Sequence, residues 1–321
     1  MSQIHKSGTR RAVRRHLLLR PLTLTVMLAL AGCTSSQWAG SQASGADPAK
    51  LSPEQTEETL IKVADQTRAG GDFGTAVGLY KRAHEMAERD PVPLAKLGET
   101  LAQMQAYNDA VDAYRAALAL KDDPDLHRGL GNVLLALGKP QLALAQLQAA
   151  AAKSPSDARV YNGLGVAYDL TGRHDQAQEA YRKGLTLAPE QLSLRNNLGL
   201  SQALGGDYAA GIATLSEVVT QAGATARNRQ NLALVYGLAG DNQHAASVAR
   251  SDLDEQAVRS NLAYYTLLRS MDDLGRTAAI LGADIRAIKL NEPAATVKDS
   301  IVGEAPKAAF GCAETNGKPA C

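Results

Sequence analysis

The ten residues GLGVAYDLTG, Gly163 to Gly172, begin with two glycines spaced as in a phosphate-cradling loop. A dinucleotide loop needs G-x-G-x-x-G between a buried strand and a helix. Here Val166, Ala167 and Tyr168 follow Gly165, the next glycine is Gly172, and no β-branched run precedes the stretch. The stretch has copies instead. GLGNVLLALG fills Gly129 to Gly138, NLGLSQALGG runs from Asn197 to Gly206, and NLALVYGLAG from Asn231 to Gly240. The shared leucines, Leu130, Leu164, Leu198 and Leu232, stand 34 residues apart, and the turn glycines Gly138, Gly172, Gly206 and Gly240 keep the same step. Leu97-Gly98 and Val63-Ala64 extend the series upstream, with one single-residue slip near Asp122 to Pro124.

A period of 34 residues is the tetratricopeptide signature, a helix-turn-helix unit that must stack on its neighbours to bury a core. The expected fold is therefore all-α, a right-handed superhelical solenoid of about six repeats plus C-terminal capping helices. The repeats are expected at about Thr56–Asp90, Pro91–Asp123, Pro124–Asp157, Ala158–Gln191, Leu192–Thr225 and Ala226–Asp254. Val258 to Met271 reads as one further first helix and Leu274 to Ile288 as a capping helix. Small residues mark close helix approach, and Gly165 is expected to admit Ala177 of the partner helix. Composition agrees: 45% hydrophobic residues with 4% aromatics suit an Ala/Leu-rich helical core.

The chain carries a net charge of +1, with six Lys/Arg and no acid in its first 32 residues, so the remainder stands near −5. That balance sets nucleic acid aside as a partner. Arg10, Arg11, Arg14, Arg15 and Arg20 precede the apolar run Leu22 to Ala31, which is shorter than the ~20 residues of a bilayer-spanning helix. Basic region, short apolar run and small-residue site together read as a secretory signal. Leu30-Ala31-Gly32-Cys33 resembles a bacterial lipobox, which implies a signal peptide over 1–32 and a lipidated Cys33. An ordinary signal peptide with an incidental cysteine is the alternative. Thr34 stands where the inner-membrane retention signal of such lipoproteins has Asp, so the resemblance implies an outer-membrane lipid anchor facing the periplasm. Residues 33–51 read as a tether, 52–290 as the solenoid with its caps, and 291–321 as a disordered tail.

The motif inventory offers no enzyme chemistry: there is no H-E-x-x-H, G-x-S-x-G, P-loop or C-x-x-C. Neither a cofactor, a metal nor a small-molecule substrate is expected. His84, His127, His174 and His244 fall in separate repeats and read as surface histidines. Asp122, Asp123 and Asp125 lack calcium-loop spacing and sit at an inter-repeat turn, where Asp caps a helix. In the tail, Cys312 and Cys321 can close a small disulfide loop in an oxidising compartment, with Asn316-Gly317 as its turn; two free thiols or an intermolecular bridge are the alternatives.

The first helices of such an array line a groove for an extended partner segment. Two residues before the shared leucines stand Arg128, Asn162, Asn196 and Gln230, and two residues after them Asn132, Val166, Leu200 and Leu234. The polar column can bond a peptide backbone and the mostly apolar one can bury partner side chains, with Arg128 gripping a carboxylate. Asn197, Asn231 and Asn261 border the same groove. The alternative is that the amides bond water or neighbouring helices.

The segment SDLDEQAVRSNLAYYTLLRSM, Ser251 to Met271, is similar to the closing segment of the TadD-like lipoproteins of tight-adherence (Flp) pilus loci. In those a D-L-…-N-x-A-Y-like stretch follows an N-L-A-L-V-x-G-L-x-G repeat, here Asp252 to Tyr265 after Asn231 to Gly240. The resemblance covers roughly Leu51 to Met271, and the two-cysteine tail departs from it. It implies a non-enzymatic assembly factor whose protein partners are the secretin or other pilus-assembly components. A pilotin or adaptor for a type IV pilus, outer-membrane protein assembly or peptidoglycan machinery is the competing expectation.

Overall fold

The computed structural model describes residues 53–282 and the strand positions 313–315 and 318–320. The signal peptide, Cys33, the tether, Cys312 and Cys321 lie outside the described residues. Fourteen helices follow one another among those described. The first repeat pairs α1 (Pro53–Ala69) with α2 (Phe73–Met86), and the second α3 (Val92–Gln103) with α4 (Tyr107–Leu120). The third pairs α5 (Pro124–Ala136) with α6 (Pro140–Lys153), and the fourth α7 (Ala158–Asp169) with α8 (His174–Leu187). The fifth holds α9 (Leu192–Leu204) and α10 (Tyr208–Thr220), and the sixth α11 (Ala226–Leu238) and the short α12 (Asn242–Ala249). Then come α13 (Glu255–Ser270) and α14 (Asp273–Leu281). In the tail, β1 (Ala313–Thr315) and β2 (Lys318–Ala320) pair antiparallel, Ala313 opposite Ala320, with Asn316-Gly317 between them in sequence. That hairpin stands in a stretch whose composition predicted no order.

The two helices of each repeat pack on one another, and each second helix packs on the first helix that follows, which is the solenoid arrangement. First helices of successive repeats also touch: α3 with α5, α5 with α7, α7 with α9, α9 with α11.

Sequence chemistry sets the boundaries. Asp123 and Asp157, 34 residues apart, cap α5 and α7 by accepting from the backbone N–H of Asp125 and Arg159. Asp72, Asp207 and Asp241 cap the second helices α2, α10 and α12 in the same way. Gly138, Gly172, Gly206 and Gly240 turn the chain with φ between 65° and 92°, where a side chain is strained. The equivalent position of the second repeat is Gln105, at φ 61° without the glycine.

The packing glycines also admit a large side chain one turn further along the second helix. A β-carbon at Gly165 would overlap the Tyr181 ring. The same column repeats: a β-carbon at Gly131 would lie 2.6 Å from Leu147, and one at Gly199 2.7 Å from Leu215. Tyr80, Tyr114, Leu147, Tyr181 and Leu215, one on the second helix of each of the first five repeats, are thus the large side chains that fill them, while the sixth has Ala249 at that position. The five large ones sit one helical turn beyond the small residues Ala76, Ala110, Ala143, Ala177 and Gly211, which lie on the same buried face.

Candidate peptide-binding face

The first-helix face places the candidate residues unequally. Asn132 is exposed, while Arg128, Asn162, Gln230, Leu234 and Asn261 are half-buried. Val166 and Leu200 keep only 3% and 2% of their surface, so they belong to the core and offer nothing to a partner in this conformation. Extended upstream, their column reads Asp65, Glu99, Asn132, Val166, Leu200, Leu234. It passes from acidic through amide to apolar along the array, a gradient that inspection of the four central repeats alone missed.

Three of the expected amides are structural. Asn196, Asn197 and Asn231 are buried, and they form a relay across three repeats. Asn197 donates to Asn162 Oδ1 at 2.9 Å, and Asn196 donates to Asn197 Oδ1 at 3.2 Å. Asn196 Oδ1 in turn accepts from Asn231 at 2.9 Å and from Asn228 at 3.1 Å. Buried amides must find partners, and here successive repeats supply them for one another. The 34-residue step that flagged these residues was therefore reporting inter-repeat contact.

Arg128 is likewise committed. Its Nη2 lies 2.6 Å from Asp125, and its Nε faces Asp157 at 3.5 Å. Arg159 closes the square, 3.2 Å from Asp125 and 2.9 Å from Asp157. Burial raises Asp157, but the bonds from Arg159 outweigh it and hold the carboxyl below its usual range. Of the five N–H donors of Arg128, Nη2 is bonded to Asp125, while the buried Nε has no hydrogen-bond partner among the described residues. The cleft of about 300 Å³ beside this square is lined by the same Asp125, Asp157 and Arg159 with Pro124, Ser154 and Ser156. Toward the amino end a second network joins repeats: Asp65 accepts from Tyr80 at 2.6 Å and Lys96 at 3.0 Å, and Arg68 reaches Glu99 at 2.9 Å.

Sequence inspection also missed a buried cluster at the fourth and fifth repeats. Asp169 keeps 1% of its surface and accepts from Ser201 Oγ at 2.7 Å and Tyr181 Oη at 3.0 Å; His174 Nδ1 lies 2.8 Å away. Burial pushes the carboxyl up, against the lowering bonds from His174, Ser201 and Tyr181. Tyr181 is raised by the same burial and by the adjacent Asp169. His174 is therefore a largely buried partner of Asp169 within its own repeat, not the surface histidine expected, and Ser201 makes the bond to the next repeat. His127 is also engaged, 2.8 Å from Gln146 and 2.7 Å from Asp122. Among the described residues no group of three His, Cys, Asp or Glu could hold a metal ion, and no helix is long and apolar enough to cross a membrane.

The tetratricopeptide-repeat family profile matches residues 95–158, 128–191 and 171–227. No curated protein matches the chain. Among solved structures it is similar to PilW, described as a widely conserved type IV pilus biogenesis factor: 17% identical, 69% of this chain and 97% of that one, TM-score 0.56. Against PilF of Pseudomonas aeruginosa the figures are 18% identity, 71% and 99%, and a TM-score of 0.53. MamA of Desulfovibrio magneticus RS-1 is 27% identical over 51% of this chain and 93% of that one, with a TM-score of 0.48.

Proposed function

We propose that the chain is a non-enzymatic protein-binding scaffold, anchored by a lipid on Cys33 to the periplasmic side of the outer membrane. Its working face is the first-helix side, and its setting is assembly of a tight-adherence (Flp) pilus. The observation that carries the binding role is the array itself: six stacked repeats present a first-helix face on which Asn132, Asn162, Gln230 and Leu234 keep accessible surface. Such a face reads an extended or helical segment of another protein. The setting rests on the resemblance of Asp252 to Tyr265 to the TadD-like closing segment, and PilW, a type IV pilus biogenesis factor by description, has a similar fold. The anchor rests on Leu30 to Cys33.

Two measurements test this reading. A fatty-acid analogue should label the full chain and not Cys33→Ser; equal labelling removes the anchor. Photo-crosslinking groups at Asn132 and Gln230 should capture the secretin of the pilus locus in intact cells, while one at Arg115, on the outward second helix α4, should not. Capture from Arg115 alone, or of components of another machine, would overturn the assignment.

A further inference from the structure

The last helix does not continue the stack. Chain order places α14 behind α13, yet it packs back on α9 of the fifth repeat as well as on α13. Its Leu274 side chain reaches the fourth repeat, 3.3 Å from where a β-carbon of Gly172 would stand. A helix of nine residues thus lies against α9 and beside the α7–α8 turn of the preceding repeat.

Burial along the first-helix face follows α14. Asn132, one repeat before it, is exposed; Val166 and Leu200, at the equivalent positions of repeats four and five, are buried; Leu234, one repeat beyond, is half-buried. The next turn repeats the onset, from half-buried Ala136 to buried Leu170, Leu204 and Leu238. Ala278, Ile280 and Leu281 of α14 are buried and belong to the hydrophobic core that runs through the array from Ala64 onward. The part of the groove beside α9 and the α7–α8 turn is therefore occupied by a short helix of this chain.

The occupant is held lightly. A helix of nine residues is unstable alone, so α14 takes its order from the groove. Arg276 fixes its start by donating to the carbonyls of Leu268 and Met271, at 3.1 and 2.9 Å. The buried Thr277 hydroxyl has no hydrogen-bond partner among the described residues, and Leu274 is 40% exposed. An unpaired buried hydroxyl favours release.

We propose that α14 is an exchangeable occupant of the groove, and that repeats four and five bind, in its place, a short helix of a partner protein. That helix would carry α14's own face: a small residue and a large aliphatic one three positions apart, as Ala278 and Leu281. The inference rests on the scaffold reading and adds where the partner sits, what chemistry it presents and what it must displace. A resident helix lowers the apparent affinity of any competitor by the fraction of time the groove stands open.

The test uses a fluorescent synthetic peptide of residues 271–282 and the full chain. Wild type should bind it at least about tenfold more weakly than the Ile280→Asp/Leu281→Asp variant, whose own helix is driven out. A peptide with the same two substitutions should bind neither. Equal affinity of wild type and variant, or no binding to a variant that keeps wild-type helicity, overturns the proposal. Should the variant fail to fold, hydrogen exchange on wild type decides. The α14 amides should exchange at least about tenfold faster than those of α9, and exchange of both in one cooperative unit overturns it. A wild-type dimer that the double variant abolishes would make the occupant a second copy and overturn the partner-helix proposal. None of these outcomes bears on the secretin crosslink, so the two readings fail separately.

Discussion

Replacing Asn196 with alanine measures what the amide relay contributes. The side chain is 4% exposed and makes three hydrogen bonds: one donated to Asn197, two accepted from Asn231 and Asn228. Truncation leaves the buried Asn231 amide without its acceptor, at about 1–3 kcal/mol, and the other two bonds add roughly 0.5–1 kcal/mol each. Asn228 keeps its role at the α11 cap, where Thr225 donates to its Oδ1, so the helix start survives. The expected loss is therefore about 2–5 kcal/mol, or roughly 4–20 °C in Tm for an array of this size. Thermal unfolding followed by far-UV circular dichroism reads it directly. Asn132→Ala, at an exposed position of the same face, should stay within about 0.5 kcal/mol. The double variant Asn196→Ala/Asn231→Ala should be little worse than Asn196→Ala, because the second change removes the orphaned donor. A melting temperature within about 1 °C of wild type, or strictly additive losses, would show that the relay does not hold the repeats.

Gly165→Ala should cost about 1–3 kcal/mol, since its β-carbon meets the fully buried Tyr181 ring and neither helix can withdraw; an unchanged denaturation midpoint would refute that packing. Gln105→Gly should stabilise by about 0.5–1 kcal/mol, relieving a left-handed backbone against the extra entropy of glycine; destabilisation would show that the Gln105 side chain does something unrecognised. Burial raises Asp65, but its bonds from Tyr80 and Lys96 outweigh it, and Arg229 lowers Asp252. With folded values below the ordinary 3.8, both contribute stability that is present above that pH and lost as pH falls below it. Asp169, raised by burial, has the opposite sign, so the margin of wild type over Asp169→Asn should shrink as pH rises from about 4. A margin that widens over that range would refute the burial argument.

The period of 34 residues determined the fold from sequence alone. Each shared leucine, small residue and turn glycine recurs at a fixed position because every repeat solves the same local packing problem with its nearest neighbours, and local problems are legible in a linear chain. Asp123 and Asp157 could be read as caps for the same reason, since a cap bonds residues two or three positions away. Whether a first-helix residue faces a partner or the next repeat was not legible. Asn162 and Asn196 share a register position, yet one is half-buried and the other is buried between Asn197, Asn228 and Asn231. Periodicity fixes the angle of a side chain around its helix and says nothing of what lies opposite. Val166 and Leu200 make the same point over a longer distance. Their burial coincides with a helix at 273–281 that packs back on α9 and beside the Gly172 turn, an arrangement made of contacts far apart in sequence. Only the tertiary structure could bring those residues together, because no local rule relates a helix to the groove it fills.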